Sequence, residues 1–355
     1  MIYSHTLALK SHYPWTSSPL ISSAPMRLIA TSPLAVAVSR AGGLGFLGIG
    51  TDASTFSSLL NESIAAVQTS PIPNTPRDIL PIGVGFICWG ADLSMALSVI
   101  RTATLKPVAA WLFAPQKSND LVAWTEGIRK ASNGKTKIWI QVSTVAMALF
   151  VAKACKPDVL VIQGSDAGGH GLAQSSSIIT LLPECADALA SGEFGEIPLI
   201  ATGGIVDGRG VAAALVLGAS GVCLGTRFLA SPEAAISEGY RNAVIQAKDG
   251  GVSTTRTTVY DRLRGTVGWP EAYNGRGVLN QSFRDHECGM SIENNKKLYE
   301  DAMKLGVQGW GDNGRMTTYA STGVVLIHSV IPAADITMEV LEQSRELVTR
   351  ARSKL

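Results

Sequence analysis

Between residues 20 and 225 short apolar runs alternate with helical stretches, and this alternation constrains the fold of the 355-residue chain more than any other feature. Such a rhythm builds parallel strands joined by crossover helices. Eight runs read as strands, at 20–23, 44–47, 80–86, 107–113, 138–142, 159–163, 197–202 and 221–224. Helix-like segments at 92–101, 119–130, 145–155 and 210–217 have crossover length. Eight such units close into an α/β TIM, or (β/α)8, barrel. An open doubly wound sheet is the competing architecture, but the regular repeat with glycine exits after the seventh and eighth runs favours closure. Apolar residues make up 46% of the chain and charged ones 16%, which suits strands covered on both faces.

After Thr226 the rhythm breaks, and a stretch richer in charge, Gly and Tyr/Trp follows, including Thr257-Thr-Val-Tyr-Asp-Arg-Leu-Arg-Gly265 and Gly268-Trp-Pro-Glu271. The expected organisation is a barrel over 1–227, an inserted, mainly helical lid or substrate domain over 228–325, and a C-terminal segment, 326–355, that returns to the barrel. Asp335 is expected to cap the last helix, with Ile336, Val340, Leu347 and Val348 on its packed face.

Several function classes are disfavoured. The net charge is +2 with Lys and Arg scattered, so there is no electrostatic footprint for nucleic acid. Five cysteines without CxxC spacing indicate neither a disulfide framework nor a zinc cluster, so no metal site is expected. No apolar run reaches the ~18 residues of a membrane span, and a soluble protein is expected. Ser353-Lys354-Leu355 reads as a tripeptide recognised by the peroxisomal import receptor, which makes the peroxisomal matrix the expected location and the cytoplasm the alternative.

The chemistry concentrates at strand exits. Gly203-Gly204, followed by a helix from Asp207, and Gly225-Thr226 are glycine exits after consecutive strands. There the backbone approaches a phosphate closely and the helix N-terminus adds a favourable dipole; two ordinary turns are the alternative. His170, in Asp166-Ala-Gly-Gly-His-Gly, is expected on a loop free of helix or strand constraint, where an imidazole serves as a base near neutrality. Asp166 either orients it or solvates the loop. His170, Ser165 and Asp166 do not form a hydrolase triad, because such partners come from separate segments. Structural roles are expected for His5, His12, His286 and His328, the last packed in Val324-Val-Leu-Ile-His. Met26, after Ser23-Ala24-Pro25, either lies against a planar ring or fills the core at a turn.

These residues together resemble a known family. Ala24-Pro-Met, Ala41-Gly-Gly-Leu-Gly-Phe, Gly83-Val-Gly-Phe, Gln163-Gly-Ser-Asp-Ala-Gly-Gly-His-Gly, Ala201-Thr-Gly-Gly-Ile-Val-Asp-Gly-Arg-Gly and Leu224-Gly-Thr-Arg-Phe-Leu are similar, in order and spacing, to motifs of the nitronate monooxygenases (formerly 2-nitropropane dioxygenases), FMN-dependent TIM barrels. The resemblance implies that Ala24 and Met26 flank the flavin ring and that Gln163 and Gly168 contact it. It also implies that Gln141 faces its pyrimidine edge, that Gly204, Cys223, Leu224, Gly225 and Thr226 hold its phosphate, and that Gly203 supports the same turn. His170 falls on the family's catalytic histidine. Three departures stand out: Asp166 where the family often has Glu, Gly85 where it frequently has Asn, leaving a backbone contact there, and Arg27-Leu-Ile after Ala-Pro-Met, a bulky charge near the cofactor entrance. The implied reaction is oxidation of an alkyl nitronate, or a neutral nitroalkane, by FMN and dioxygen to a carbonyl compound and nitrite. The alternatives are an FMN-dependent NAD(P)H:quinone or enoyl reductase, a flavin-free barrel binding a phosphorylated metabolite, and a noncatalytic binding module.

Overall fold

In the computed structural model, which describes residues 2–353, eleven strands are found among the described residues: β1 (Leu20–Ser23), β2 (Phe46–Gly50), β3 (Ile79–Ile87), β4 (Lys106–Phe113), β5 (Lys137–Val142), β6 (Val159–Gln163), β7 (Gly169–Leu172), β8 (Leu199–Thr202), β9 (Gly221–Leu224), β10 (Thr254–Thr257) and β11 (Tyr273–Val278). Eight of them form one parallel sheet in the order β1-β9-β8-β6-β5-β4-β3-β2. The sheet closes through a bridge between Ser22 and Leu44. There Leu44 N–H donates to Ile21 O at 2.9 Å and Ser23 N–H to Leu44 O at 3.1 Å. This is the expected TIM-type barrel.

β2 begins later than its apolar run suggests. A Cβ on Gly45 would lie 1.9 Å from Ala35 O, so the chain there hugs the helix Ser32–Arg40 before the strand starts. Inside the barrel, Phe46, Trp111 and Trp139 pack together, with centroids 5.3 Å apart for Phe46–Trp111 and 5.7 Å for Trp111–Trp139. Gly83 makes room for this plug, since a Cβ there would come within 2.3 Å of the Phe46 ring. The Trp139 indole N–H donates to the buried Tyr13 hydroxyl at 2.6 Å, tying the chain's first segment to the interior.

The final helix, Ala333–Arg352, packs on the helix Gly208–Val216, where Gly208 N–H donates to Gln343 Oε1 at 3.2 Å. Asp335 does not cap it. The first N–H, of Ala333, is accepted by the Glu233 carboxylate at 3.0 Å, and Asp335 lies within the first turn, where a negative charge is favourable to the helix dipole. Ile336 and Val340 are buried as expected, but Leu341 and Ser344 complete the packed face and Val348 is 40% exposed. His328 is exposed as well: Ile327 takes the buried position and turns its neighbour outward. His5 is buried, bonded through Nε2 to Gly195 O at 2.6 Å.

The segment after β9 carries helices at Glu238–Gln246, Val259–Arg264, Gln281–Glu287 and Ile292–Met303, and adds the strands β10 and β11. These two pair antiparallel with each other and with β7, which leaves the barrel just after β6. No helix among the described residues is long and apolar enough to cross a membrane. Lys354 and Leu355, the last two residues of the expected targeting tripeptide, lie outside the described residues.

Burial also sets the reactivity of the cysteines. It pushes the thiols of Cys185 and Cys223 up to about 12 and raises those of Cys88 and Cys155, whereas Cys288 is exposed. A raised pKa keeps a thiol protonated until the pH climbs through the new value, and only the thiolate is nucleophilic. Iodoacetamide at pH 8 is therefore expected to label Cys288 alone in the folded protein and all five sites after unfolding. Peptide mass spectrometry reads the result, and native labelling of Cys223 would contradict it.

Candidate functional site

One cavity of about 970 Å³ opens at the carboxyl ends of the barrel strands, and the inserted segment forms its far wall. That volume is at the upper end of the range for small-molecule sites. Ala24 and Met26 reach it from the turn after β1, Gly85 from β3, Gln141 from β5 and Gln163 from β6. Gly168 and His170 follow β6, Gly203 and Gly204 follow β8, Cys223 lies on β9, and Gly225 and Thr226 follow it. Leu224 does not line the cavity. Its side chain is fully buried, and its carbonyl accepts from Ala24 N–H at 2.9 Å.

The glycines are there for space and for backbone shape. A Cβ on Gly85 would come within 2.2 Å of the Pro25 ring, so Pro25 occupies the volume that a side chain at 85 would need. Gly203 and Gly204 have φ of +107° and +76°, the region that favours glycine. Thr226 Oγ1 accepts from Ser321 N–H at 3.0 Å, which leaves its own hydrogen to donate. The helix after Gly204 contributes less than expected. Asp207 accepts from Arg209 N–H and Gly210 N–H at 2.9 and 3.3 Å, so the helix end is capped by its own carboxylate, which does not line the cavity.

Unpartnered polar groups point to a ligand. Gln141 Oε1 accepts from the Trp111 indole at 3.0 Å, but its buried Nε2 has no partner. Buried Ser321 Oγ, Trp89 Nε1 and Arg27 Nε are likewise unpartnered, and all four residues line the cavity. Each such group costs about 1–3 kcal/mol while unsatisfied. Three of the four are pure donors, which matches a ligand rich in acceptors. The Arg27 stem lies against Gly50, where a Cβ would sit 2.5 Å from Arg27 Cδ.

His170 is more constrained than a loop residue. It sits in β7, opposite Gly275 of β11, because the sheet of the inserted segment recruits the chain leaving β6. Its Nε2 lies 2.9 and 3.0 Å from the two carboxylate oxygens of Asp261. Its ring stacks on Trp269 with centroids 3.8 Å apart and planes 5° from parallel. Asp261 Oδ1 also accepts from the Tyr319 hydroxyl and from Thr266 Oγ1, each at 2.9 Å. Burial, then the neighbouring Asp261 carboxylate, pushes the Tyr319 phenol well above its usual range, so it remains a donor. The backbone of His170 is fixed too, since its carbonyl accepts from Gln163 Nε2 at 3.2 Å.

Asp166 is not hydrogen-bonded to the histidine among the described residues; Asp261, from another segment, is. Asp166 instead lies beside the β8 exit, where a Cβ on Gly204 would come within 2.9 Å of its own Cβ. Arg256 donates to Ser165 O and Ala167 O at 3.3 and 3.0 Å, and Arg276 to Ser165 O at 3.3 Å. Burial, then the like charge of Arg276, lowers Arg256 to about 10, with Asp166 opposing that shift. Asp261, Thr266, Trp269 and Tyr319 are the site residues that motif reading missed. The signal available in the sequence was a carboxylate amid aromatic residues, Tyr260-Asp261 and Trp269, inside the inserted segment.

The nitronate monooxygenase family model matches residues 123–343. A Metarhizium robertsii protein called nitronate monooxygenase npaC is 47% identical over 346 residues, covering 96% of this chain and 95% of that one. A nitronate monooxygenase of Neurospora crassa is 38% identical, covering 97% and 94%. Among solved structures, nitroalkane oxidase from Streptomyces ansochromogenes superposes with a TM-score of 0.72 at 22% identity, covering 97% of this chain and 99% of that one. FabK from Thermotoga maritima superposes with 0.72 at 23% identity, covering 98% of each chain. At these identities the two structural likenesses show the fold alone.

Proposed function

The chain belongs to the nitronate monooxygenase family, and from that premise we propose that it is an oxidoreductase that uses FMN and dioxygen to convert alkyl nitronates, and neutral nitroalkanes, to a carbonyl compound and nitrite. The observation that carries this reading is the position of His170 in the same cavity as the glycine exits of β8 and β9. Backbone at Gly203, Gly204 and Gly225, with the Thr226 hydroxyl, would hold the phosphate. Ala24, Met26, Gly85, Gln163 and Gly168 would border the ring, Cys223 would stand beside the phosphate, and the unpartnered Gln141 Nε2 would donate to one of the ring's acceptors. When bound, FMN supplies the electron chemistry and the reaction with dioxygen.

The protein's own groups handle the proton and the negative charge. With a neutral nitroalkane, His170 takes the α-proton, and its new positive charge faces Asp261. With a nitronate, which arrives deprotonated, the imidazole orients the anion. The apolar wall of Trp89, Phe113 and Trp269 keeps water from the reacting carbon.

A visible spectrum tests the reading. The purified protein is expected to be yellow, to bleach on anaerobic addition of a nitronate, and to stay unchanged with NADH. Prompt bleaching by NADH with indifference to nitronates would favour a reductase, and a colourless protein would favour a flavin-free barrel.

A further inference from the structure

We propose that Asp261 is the positioning residue of His170: it holds the neutral imidazole as the Nε2–H tautomer, so that Nδ1 is the atom that takes the substrate's proton. The proposal deepens the reading above and rests on it for the role of His170 as base.

An ionised carboxylate can only accept hydrogen bonds. Both oxygens of Asp261 stand at hydrogen-bond distance from Nε2, and its side chain is 8% exposed. The hydrogens of Tyr319 and Thr266 are already directed at Oδ1, so neither hydroxyl competes for the imidazole as a donor. With every neighbour of Nε2 an acceptor, that nitrogen must carry the hydrogen. The lone pair then belongs to Nδ1.

Trp269 and Asp261 divide the work of holding the ring. The stack at 3.8 Å fixes the ring plane, but a half-turn about the Cβ–Cγ bond would preserve it. The same half-turn would carry Nε2 off the carboxylate, so Asp261 decides which nitrogen points where. In the step itself the substrate's C–H bond breaks and an N–H bond forms at Nδ1, while the electron pair stays on the substrate to give the nitronate. The imidazolium that results donates from both nitrogens, and its charge is balanced at 2.9 Å by Asp261. The other charged groups lining the cavity are Arg27, Arg264, Lys296 and Glu300, and none of them is hydrogen-bonded to His170 among the described residues.

The tautomer can be read without any turnover. Long-range proton–nitrogen correlation spectra of the ¹⁵N-histidine-labelled holoenzyme, taken where the ring is neutral, are expected to show a protonated, pyrrole-type Nε2 and a bare, pyridine-type Nδ1 at His170. The His170 signal is the one absent from the His170→Asn spectrum. The opposite pattern in the unmodified protein overturns the proposal whatever the Asp261→Asn variant does.

In Asp261→Asn, the amide can donate to Nε2 and invert the tautomer. The expected result is the inverted nitrogen pattern, a fall in kcat on neutral nitroalkanes of about 10²- to 10⁴-fold, and little change in KM. Oxidation of a preformed nitronate is expected to survive. An Asp261→Asn protein with the parental nitrogen pattern and parental kcat overturns the proposal. If the unmodified protein oxidises neither substrate, the functional reading fails, while the spectrum still decides the tautomer.

Discussion

His170→Asn is expected to lower turnover of neutral nitroalkanes by about 10²- to 10⁴-fold, the usual contribution of a positioned base, while oxidation of preformed nitronates falls much less. The contrast follows from where the proton is. A neutral nitroalkane must lose one in the cavity, and the imidazole, with Nε2 held against Asp261, has Nδ1 left to accept it. A nitronate has none to lose. Asparagine keeps a polar side chain at the cavity wall while removing the basic nitrogen. Steady-state rates on both substrate forms, taken with the flavin content of each preparation, give the answer. Equal losses on the two forms would assign His170 to binding and not to proton transfer.

The second large effect is expected at Gly168→Ala. A Cβ at that position would lie 2.3 Å from Ala320 C and from Ser321 N, and 2.7 Å from Ala320 Cα. These are backbone atoms, so no rotamer change can make room. Either the chain leading to His170 or the segment carrying Tyr319 must move, and both hold the imidazole: one by β7, the other through Asp261. Overpacking of this kind costs about 1–3 kcal/mol. A displacement of about 1 Å at a reacting group costs on the order of 10² in rate. Gly168→Ala is therefore expected to melt several degrees lower and to lose activity on both substrate forms. Gly169→Asn is the matched comparison: φ is +67°, but nothing lies within 4 Å of a Cβ there, and asparagine tolerates that conformation. Its thermal midpoint is expected to stay near the parent's. A Gly168→Ala protein with parental melting and parental rates would show that the close approach at Ala320 is dispensable.

The barrel was legible because its rhythm is local. Each strand must be apolar on both faces and each crossover must follow within a few residues, so β1, β6 and β9 begin and end where the apolar runs do. β2 was misplaced because its true start depends on Gly45 pressing against Ala35, a contact between elements that no run of residues reports. The last helix shows the same limit. Its periodicity predicts Ile336 and Val340, but Val348 is 40% exposed, and which later turns are covered is set by the neighbouring elements and not by the periodicity. Residues whose role is carried by backbone shape, such as Gly203 and Gly204, could be singled out from the motif and its strand exit. Asp261 carried only the weak signal of a carboxylate among aromatic residues, since it meets His170 across 91 positions of chain, where β7 pairs with β11. The Asp207 cap was local and could have been anticipated: an aspartate directly before a helix is more often its own N-cap than an opening for an anion.

The pairing of β7 with β11 bears on attempts to reduce this protein to its simplest working form. A shortened chain with residues 228–325 excised would keep the glycine exits of β8 and β9 and the aromatic plug of Phe46, Trp111 and Trp139. It would lose the carboxylate, the indole and the phenol that grip the imidazole, and β7 would become an unpaired ribbon. Such a miniature would leave the imidazole at position 170 without its carboxylate and its stacking partner, so on the proposed reading the excised segment belongs to the reaction centre as much as the barrel does.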